Sequence, residues 1–298
     1  MQYEISEHAR EKVNQHILIS GCARSGTTIV GKLLHTFADV EFNHEPPIMF
    51  AMLPLINELP EYHFKLLYET YLYEDFFIDA LCGRRINCNR GDDSSVWNVK
   101  SEQEVSRRLA VSIPKKDSEK QGVYSHIAYK LPDVTPYLAD LKRIYPESRI
   151  VITRRSAVGT LSSMLEKSWF SDANAQSNLI WPFVQRNGFK IPYWVEPHNV
   201  DNWCHMSELD RCAYYYIRIN QTADEVPDYF ELKYSELLSD ASKVATKLAS
   251  QLGLSFGPRT QEVIDSIKPT DKDRDDVIFK KISEEFREQV RFYSERSE

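Results

Sequence analysis

The sequence predicts an α/β fold in which a central, mainly parallel sheet is flanked by helices. Three observations predict it. Short apolar runs alternate with helical stretches along the chain, and a tight glycine loop joins the first run to a helix. At 298 residues the chain is also long enough to bury a full core without disulfides or structural metals. Hydrophobic residues make up 42% and charged residues 27%, which excludes a largely disordered chain.

The elements follow in order. His16-Ile-Leu-Ile-Ser20 is a short apolar strand, and Gly21-Cys-Ala-Arg-Ser-Gly26-Thr-Thr28 is the turn after it. Ile29, Leu33, Leu34 and Phe37 recur at three- and four-residue spacing, so that piece is a helix. Val40-Glu-Phe-Asn43 is a second strand, halted at His44-Glu-Pro-Pro47 because proline removes a backbone donor. From Ile48 to Leu81 the pattern is helical with a break at Pro60. Gly83 to Lys100 is polar, with Gly91 to Ser95 as a loop.

Tyr124 to Tyr129 is a strand ending at Lys130-Leu-Pro132, and Thr135 to Ile144 is a helix. Arg149-Ile-Val-Ile-Thr153 is a buried strand that runs into Arg154-Arg155. Trp181 to Tyr216 is dense in aromatics without a clear period. Phe230 to Tyr234 is a strand, followed by a helical run to Gln251, a charged stretch from Lys268 to Asp276 and a last amphipathic helix. No repeat or low-complexity linker divides the chain. The expectation is one domain over residues 1–298, with substrate-facing insertions at about 48–123 and 165–216.

Thirty-seven Lys and Arg against forty-four Asp and Glu give a net charge of −7. That sign argues against a nucleic-acid partner, whose binding needs a broad basic face. An anionic ligand must therefore be held by locally placed cations. The five cysteines (Cys22, Cys82, Cys88, Cys204, Cys212) form no CxxC pair and no metal-ligand spacing, so they are expected as reduced thiols. No signal core and no membrane-length apolar stretch occurs, which points to a cytoplasmic chain.

A helix N-terminus preceded by a glycine loop presents unpaired N–H groups and a positive dipole end, a ready cradle for phosphate or sulfate. Residues 21–28 fit that pattern, as a P-loop-type three-layer fold would require. In the nucleotide-hydrolase version, GxxxxGK[ST], a lysine stands where this chain has Thr27, and a Walker-B carboxylate holds magnesium. Here the cation is Arg24, inside the loop, and the strand at Arg149 ends in two arginines. A P-loop nucleotide kinase is the alternative reading, but the residues favour an anion other than Mg-ATP and require no metal.

Four pieces in chain order resemble the sulfotransferases that use 3′-phosphoadenosine 5′-phosphosulfate (PAPS). Ala23-Arg-Ser-Gly-Thr-Thr28 is similar to the family's 5′-phosphosulfate loop, which implies that Ala23, Arg24, Ser25, Gly26, Thr27 and Thr28 bind the co-substrate. Glu45-Pro46 resembles the pair found at this distance in carbohydrate sulfotransferases. Tyr145 to Met164 resembles the strand and helix whose Arg and Ser, eight apart, clamp the 3′-phosphate. That spacing selects Arg155 and Ser163, with Arg154 and Ser162 as the other possible pair. Tyr234-Ser-Glu-Leu-Leu-Ser-Asp240 resembles the segment whose tyrosine lies by the adenine.

The resemblance spans about Ile17 to Leu254. It implies transfer of a sulfuryl group from PAPS to an acceptor hydroxyl, a carbohydrate being favoured over a phenolic or lipid acceptor. The aryl and steroid subfamily's histidine, two residues after a lysine, is replaced here by Pro132, and its glycine-rich C-terminal donor loop has no counterpart except the mixed run Lys268 to Arg274. An acceptor hydroxyl must shed its proton as the bond forms, so a base is needed within hydrogen-bond reach. Glu45 is the candidate base, with His44 in reserve. Lys130 is the candidate cation at the bridging oxygen and Arg24 at the transferring group.

Overall fold

The computed structural model describes residues 4–110, 114–121, 125–176, 182–268 and 277–298. Tyr124, Trp181 and most of the Lys268 to Asp276 stretch lie outside the described residues. Five strands form one wholly parallel sheet: β1 (Ile17–Gly21), β2 (Val40–His44), β3 (His126–Lys130), β4 (Arg149–Arg154) and, after a separate antiparallel hairpin of β5 (Phe183–Arg186) and β6 (Phe189–Pro192), the edge strand β7 (Tyr229–Lys233). The order is β2-β3-β1-β4-β7.

Period-two alternation builds three layers from these strands. Leu18, Ile127, Tyr129, Ile150 and Ile152 face one helical layer. Their neighbours Ile17, Ile19, Ala128 and Val151 face the other, which contains helices Thr27–Thr36 and Ala241–Leu252. A third apolar cluster joins helices Ala157–Leu165, Glu208–Asp224 and Glu284–Arg296. No helix among the described residues is long and apolar enough to cross a membrane. The five cysteines are free thiols, all but Cys88 buried.

The aromatic stretch without a period resolves into the β5–β6 hairpin, a short helix at Val200–His205 and the 17-residue helix Glu208–Asp224. That helix was hidden in the sequence because Arg211 to Ile217 are all buried, so no polar face marks its turns. Trp203 is fully buried, and with Trp194 and Tyr215 it fills core around Phe170.

Two glycines are fixed by close approach. A Cβ at Gly21 (φ +131°) would stand 2.5 Å from the Thr153 carbonyl, because β1 and β4 converge there. At Gly26 (φ +98°) it would stand 2.4 Å from the Tyr234 ring. Both dihedrals lie where side chains are strained.

The paired arginines ending β4 divide by the same alternation. Arg154 turns inward: Nε donates to Glu231 at 2.7 Å, Nη1 to the Asn220 side chain at 2.9 Å and Nη2 to the Tyr229 hydroxyl at 2.9 Å, and the guanidinium also pairs with Asp224. It is committed to the core, which leaves Arg155 as the arginine at the loop. At the base of β1, His16 is buried between Tyr68, Tyr129 and Tyr145. Its Nδ1 donates to the Val13 carbonyl at 2.7 Å, so its Nε2 accepts from the Tyr68 hydroxyl at 3.0 Å.

Arg154→Ala removes a buried guanidinium together with its bonds to Glu231, Asn220, Tyr229 and Asp224 and should cost about 2 to 3 kcal/mol in urea unfolding, whereas Arg155→Ala should cost about 1 kcal/mol or less. Burial holds the His16 imidazole down to about 4. The unfolded chain therefore binds an extra proton below the ordinary histidine range, and the stability present at neutral pH is lost as pH falls toward 4. Urea midpoints should show wild type losing up to about 1 kcal/mol per pH unit more than His16→Gln below about pH 6.

Candidate active site

The loop after β1 is bound to its neighbours on every side. The Ser25 hydroxyl donates to the Cys22 carbonyl and meets the Thr153 hydroxyl, both at 2.6 Å. The Ala23 N–H lies 2.5 Å from the Tyr215 hydroxyl and 3.3 Å from Asp133 Oδ1. Arg24 takes a left-handed backbone (φ +69°), which turns the chain into helix Thr27–Thr36. The Arg155 Nη1 donates to the Arg24 carbonyl at 2.8 Å, and its guanidinium sits 4.6 Å from the centre of the Tyr234 ring, the same ring that covers Gly26.

What remains for a ligand are the N–H groups of the helix's first turn, which have no intrahelical acceptor, and the positive end of its dipole. Ala23 and Ser25 thus shape the loop, with the Ala23 N–H and the Ser25 hydroxyl already engaged. Gly26, Thr27 and Thr28 offer the N–H groups. The Arg24 guanidinium is exposed above them. Its Nε donates to the Ser163 hydroxyl at 2.9 Å, and it lies 5.7 Å from the centre of the Trp169 ring.

Parallel register sets His44 beside Lys130 at the C-terminal ends of β2 and β3. One residue further, Glu45 adopts a left-handed backbone (φ +50°), and its N–H donates to the Lys130 carbonyl at 3.0 Å. Such a conformation is rare for a glutamate and aims its carboxylate back over β3. Lys130 is buried instead of solvated. Its ammonium donates to the Thr28 hydroxyl at 3.0 Å and pairs with the Glu45 carboxylate. Glu45 precedes helix Pro47–Met52 and does not sit in its first turn. Burial, reinforced by the Lys130 charge, holds the His44 imidazole below its usual range, so it is neutral at pH 7.

These groups share one cleft of about 580 Å³, lined by the loop, His44, Glu45, Phe50, Lys130, Asp133 and Trp169. Of the residues expected from sequence, Ala23, Arg24, Thr27, Thr28, Glu45 and Lys130 line it. Ser25 and Arg155 fasten its floor. Ser163 bonds Arg24. Tyr234 packs on the loop. Asp133, Tyr215 and Trp169 were not singled out in the sequence. Asp133 was legible only as an acid three residues past the β3 lysine, and Tyr215 only as one of three successive tyrosines. Burial pushes the Asp133 carboxyl up to about 6, against the Tyr215 hydroxyl and Ala23 N–H that pull it down. Among the described residues no group of three His, Cys, Asp or Glu side chains is arranged to hold a metal ion.

The sulfotransferase domain from the curacin biosynthetic pathway superposes with a TM-score of 0.50 at 12% identity, covering 94% of this chain and 96% of that one. The sulfotransferase domain from the Synechococcus PCC 7002 olefin synthase gives 0.48 at 13% identity, covering 94% and 93%. A sulfotransferase from Alicyclobacillus acidocaldarius gives 0.41 at 13%, covering 95% of each chain. At such identities the first of these similarities speaks to the α/β fold alone. No curated protein matches the sequence. The family model described as "Sulfotransferase family" matches residues 16–258, from the first residue of the anion-loop unit to beyond the helix after β7. That match sets aside the nucleotide-kinase reading, and the chain belongs to the sulfotransferase family.

Proposed function

We propose that the chain moves a sulfuryl group from PAPS to an acceptor hydroxyl, with a carbohydrate the favoured acceptor. One observation carries the reading: the buried Lys130 ammonium bridges Thr28, at the mouth of the anion loop, and Glu45, so an anion cradle, a cation and a base share one cleft.

In this reading the N–H groups of Gly26, Thr27 and Thr28 and the Arg24 guanidinium hold the 5′-phosphosulfate. Arg155 and Ser163 hold the 3′-phosphate, and Tyr234 flanks the adenine. The acceptor oxygen forms its bond to sulfur as the bridging S–O bond breaks. Glu45 takes the acceptor's proton, and the electron pair of the broken bond leaves on the 5′-phosphate, giving adenosine 3′,5′-bisphosphate. Lys130, already within reach of Thr28, neutralises the charge growing on that leaving oxygen. By analogy with loose phosphoryl transfer, the protein's work is positioning and charge neutralisation, for which no metal is needed. Phe50 and Trp169 give the cleft apolar walls suited to one face of a sugar ring, and the carbohydrate preference rests on these and on the Glu45-Pro46 resemblance.

Glu45→Gln keeps the shape of the cleft and removes the base. Labelled sulfate transfer from PAPS, screened over sugars, phenols and lipids, should fall by about 100-fold or more in this variant. Its affinity for adenosine 3′,5′-bisphosphate should stay close to wild type. Unaltered turnover would remove Glu45 from the mechanism.

A further inference from the structure

Asp133 is anchored on one side and open on the other. Its backbone is left-handed (φ +70°), its N–H donates to the Gly21 carbonyl at 3.2 Å and its carbonyl accepts from the Tyr193 hydroxyl at 3.4 Å. Oδ1 accepts from both the Tyr215 hydroxyl and the Ala23 N–H. Oδ2 has no hydrogen-bond partner among the described residues, yet the side chain lines the cleft beside Glu45 and Lys130. Both of those residues act on its carboxyl, Glu45 raising and Lys130 lowering its proton affinity. Asp133 is half-buried and lines the open cleft, so Oδ2 can accept a hydrogen bond from a ligand that fills it.

We propose that Asp133 Oδ2 is a specificity-determining acceptor-binding group: it accepts a hydrogen bond from a hydroxyl adjacent to the one being sulfated, so the cleft selects vicinal diols on a ring with an apolar face. The proposal rests on the sulfotransferase reading and narrows its acceptor class. Glu45, held by Lys130, takes the proton of the reacting hydroxyl. Asp133, anchored through Oδ1, presents Oδ2 as an acceptor, which suits a neighbouring hydroxyl that keeps its proton. Phe50 and Trp169 supply the walls for the ring.

The test compares labelled sulfate transfer from PAPS to cyclohexanol and to trans-cyclohexane-1,2-diol, with adenosine 3′,5′-bisphosphate binding measured alongside. Wild type should favour the diol by about tenfold or more in kcat/KM, the worth of a hydrogen bond to a charged group. Asp133→Asn, which keeps an oxygen for Tyr215 and Ala23 but offers the neighbouring hydroxyl only a neutral amide donor in place of a charged acceptor, should lower that ratio about threefold or more. If Asp133→Asn no longer binds the bisphosphate, the ratio is read in Tyr215→Phe, which frees the carboxylate from its anchor and should also lower it. A wild-type ratio of about two, a ratio unmoved by these variants, or no transfer to either alcohol by a wild type that binds the bisphosphate would overturn the proposal. Failure of the wild type to bind the bisphosphate would overturn the donor reading, and this proposal with it.

Discussion

The hydrogen bond from Arg155 to the Arg24 carbonyl is the constraint on which the rest of the site depends. A loop with two left-handed residues, Arg24 and Gly26, has little local reason to hold one shape. Arg155 supplies that reason from the end of β4, stacked on Tyr234 from the end of β7, whose ring covers Gly26, where a side chain would clash. Three strand ends thereby fix the loop, and the first turn of helix Thr27–Thr36 keeps its N–H groups aimed into the cleft. Parallel strands make this possible, because all five C-terminal ends emerge on the same side of the sheet.

Lys130 does for the other half of the cleft what Arg155 does for the loop. A buried ammonium must be compensated, and its two partners come from the segments after β1 and β2. The Glu45 backbone is turned into a strained region to reach it. That strain is sustained by the N–H bond to the Lys130 carbonyl and by the prolines that follow. A ligand anion entering at Thr28 would compete for the same ammonium and loosen its hold on the glutamate.

Much of this was legible in the sequence because it is local. The strand, glycine loop and helix from residue 16 to 37 obey spacing rules that need no partner, and so does the apolar strand ending in two arginines. Which arginine turns inward follows from alternation only once its acceptors Asn220, Asp224 and Glu231 are known, and these lie at least 66 residues away in the chain. The Ser163 hydroxyl, expected on the 3′-phosphate, bonds Arg24, a contact that no local spacing rule reveals because it joins residues 139 apart. Helix Glu208–Asp224 lost its periodic signature to burial on nearly all sides. Asp133 gave no signal because its meaning depends on Tyr215, 82 residues further on.

Calorimetric titration of adenosine 3′,5′-bisphosphate and adenosine 5′-phosphate, into wild type and Arg155→Ala without magnesium, tests the double anion grip most directly. Wild type should bind the bisphosphate at least about tenfold more tightly, as a charge-assisted bidentate contact would give, and Arg155→Ala should lose most of that advantage. Equal affinity of wild type for the two nucleotides, or an advantage untouched by the substitution, would contradict it.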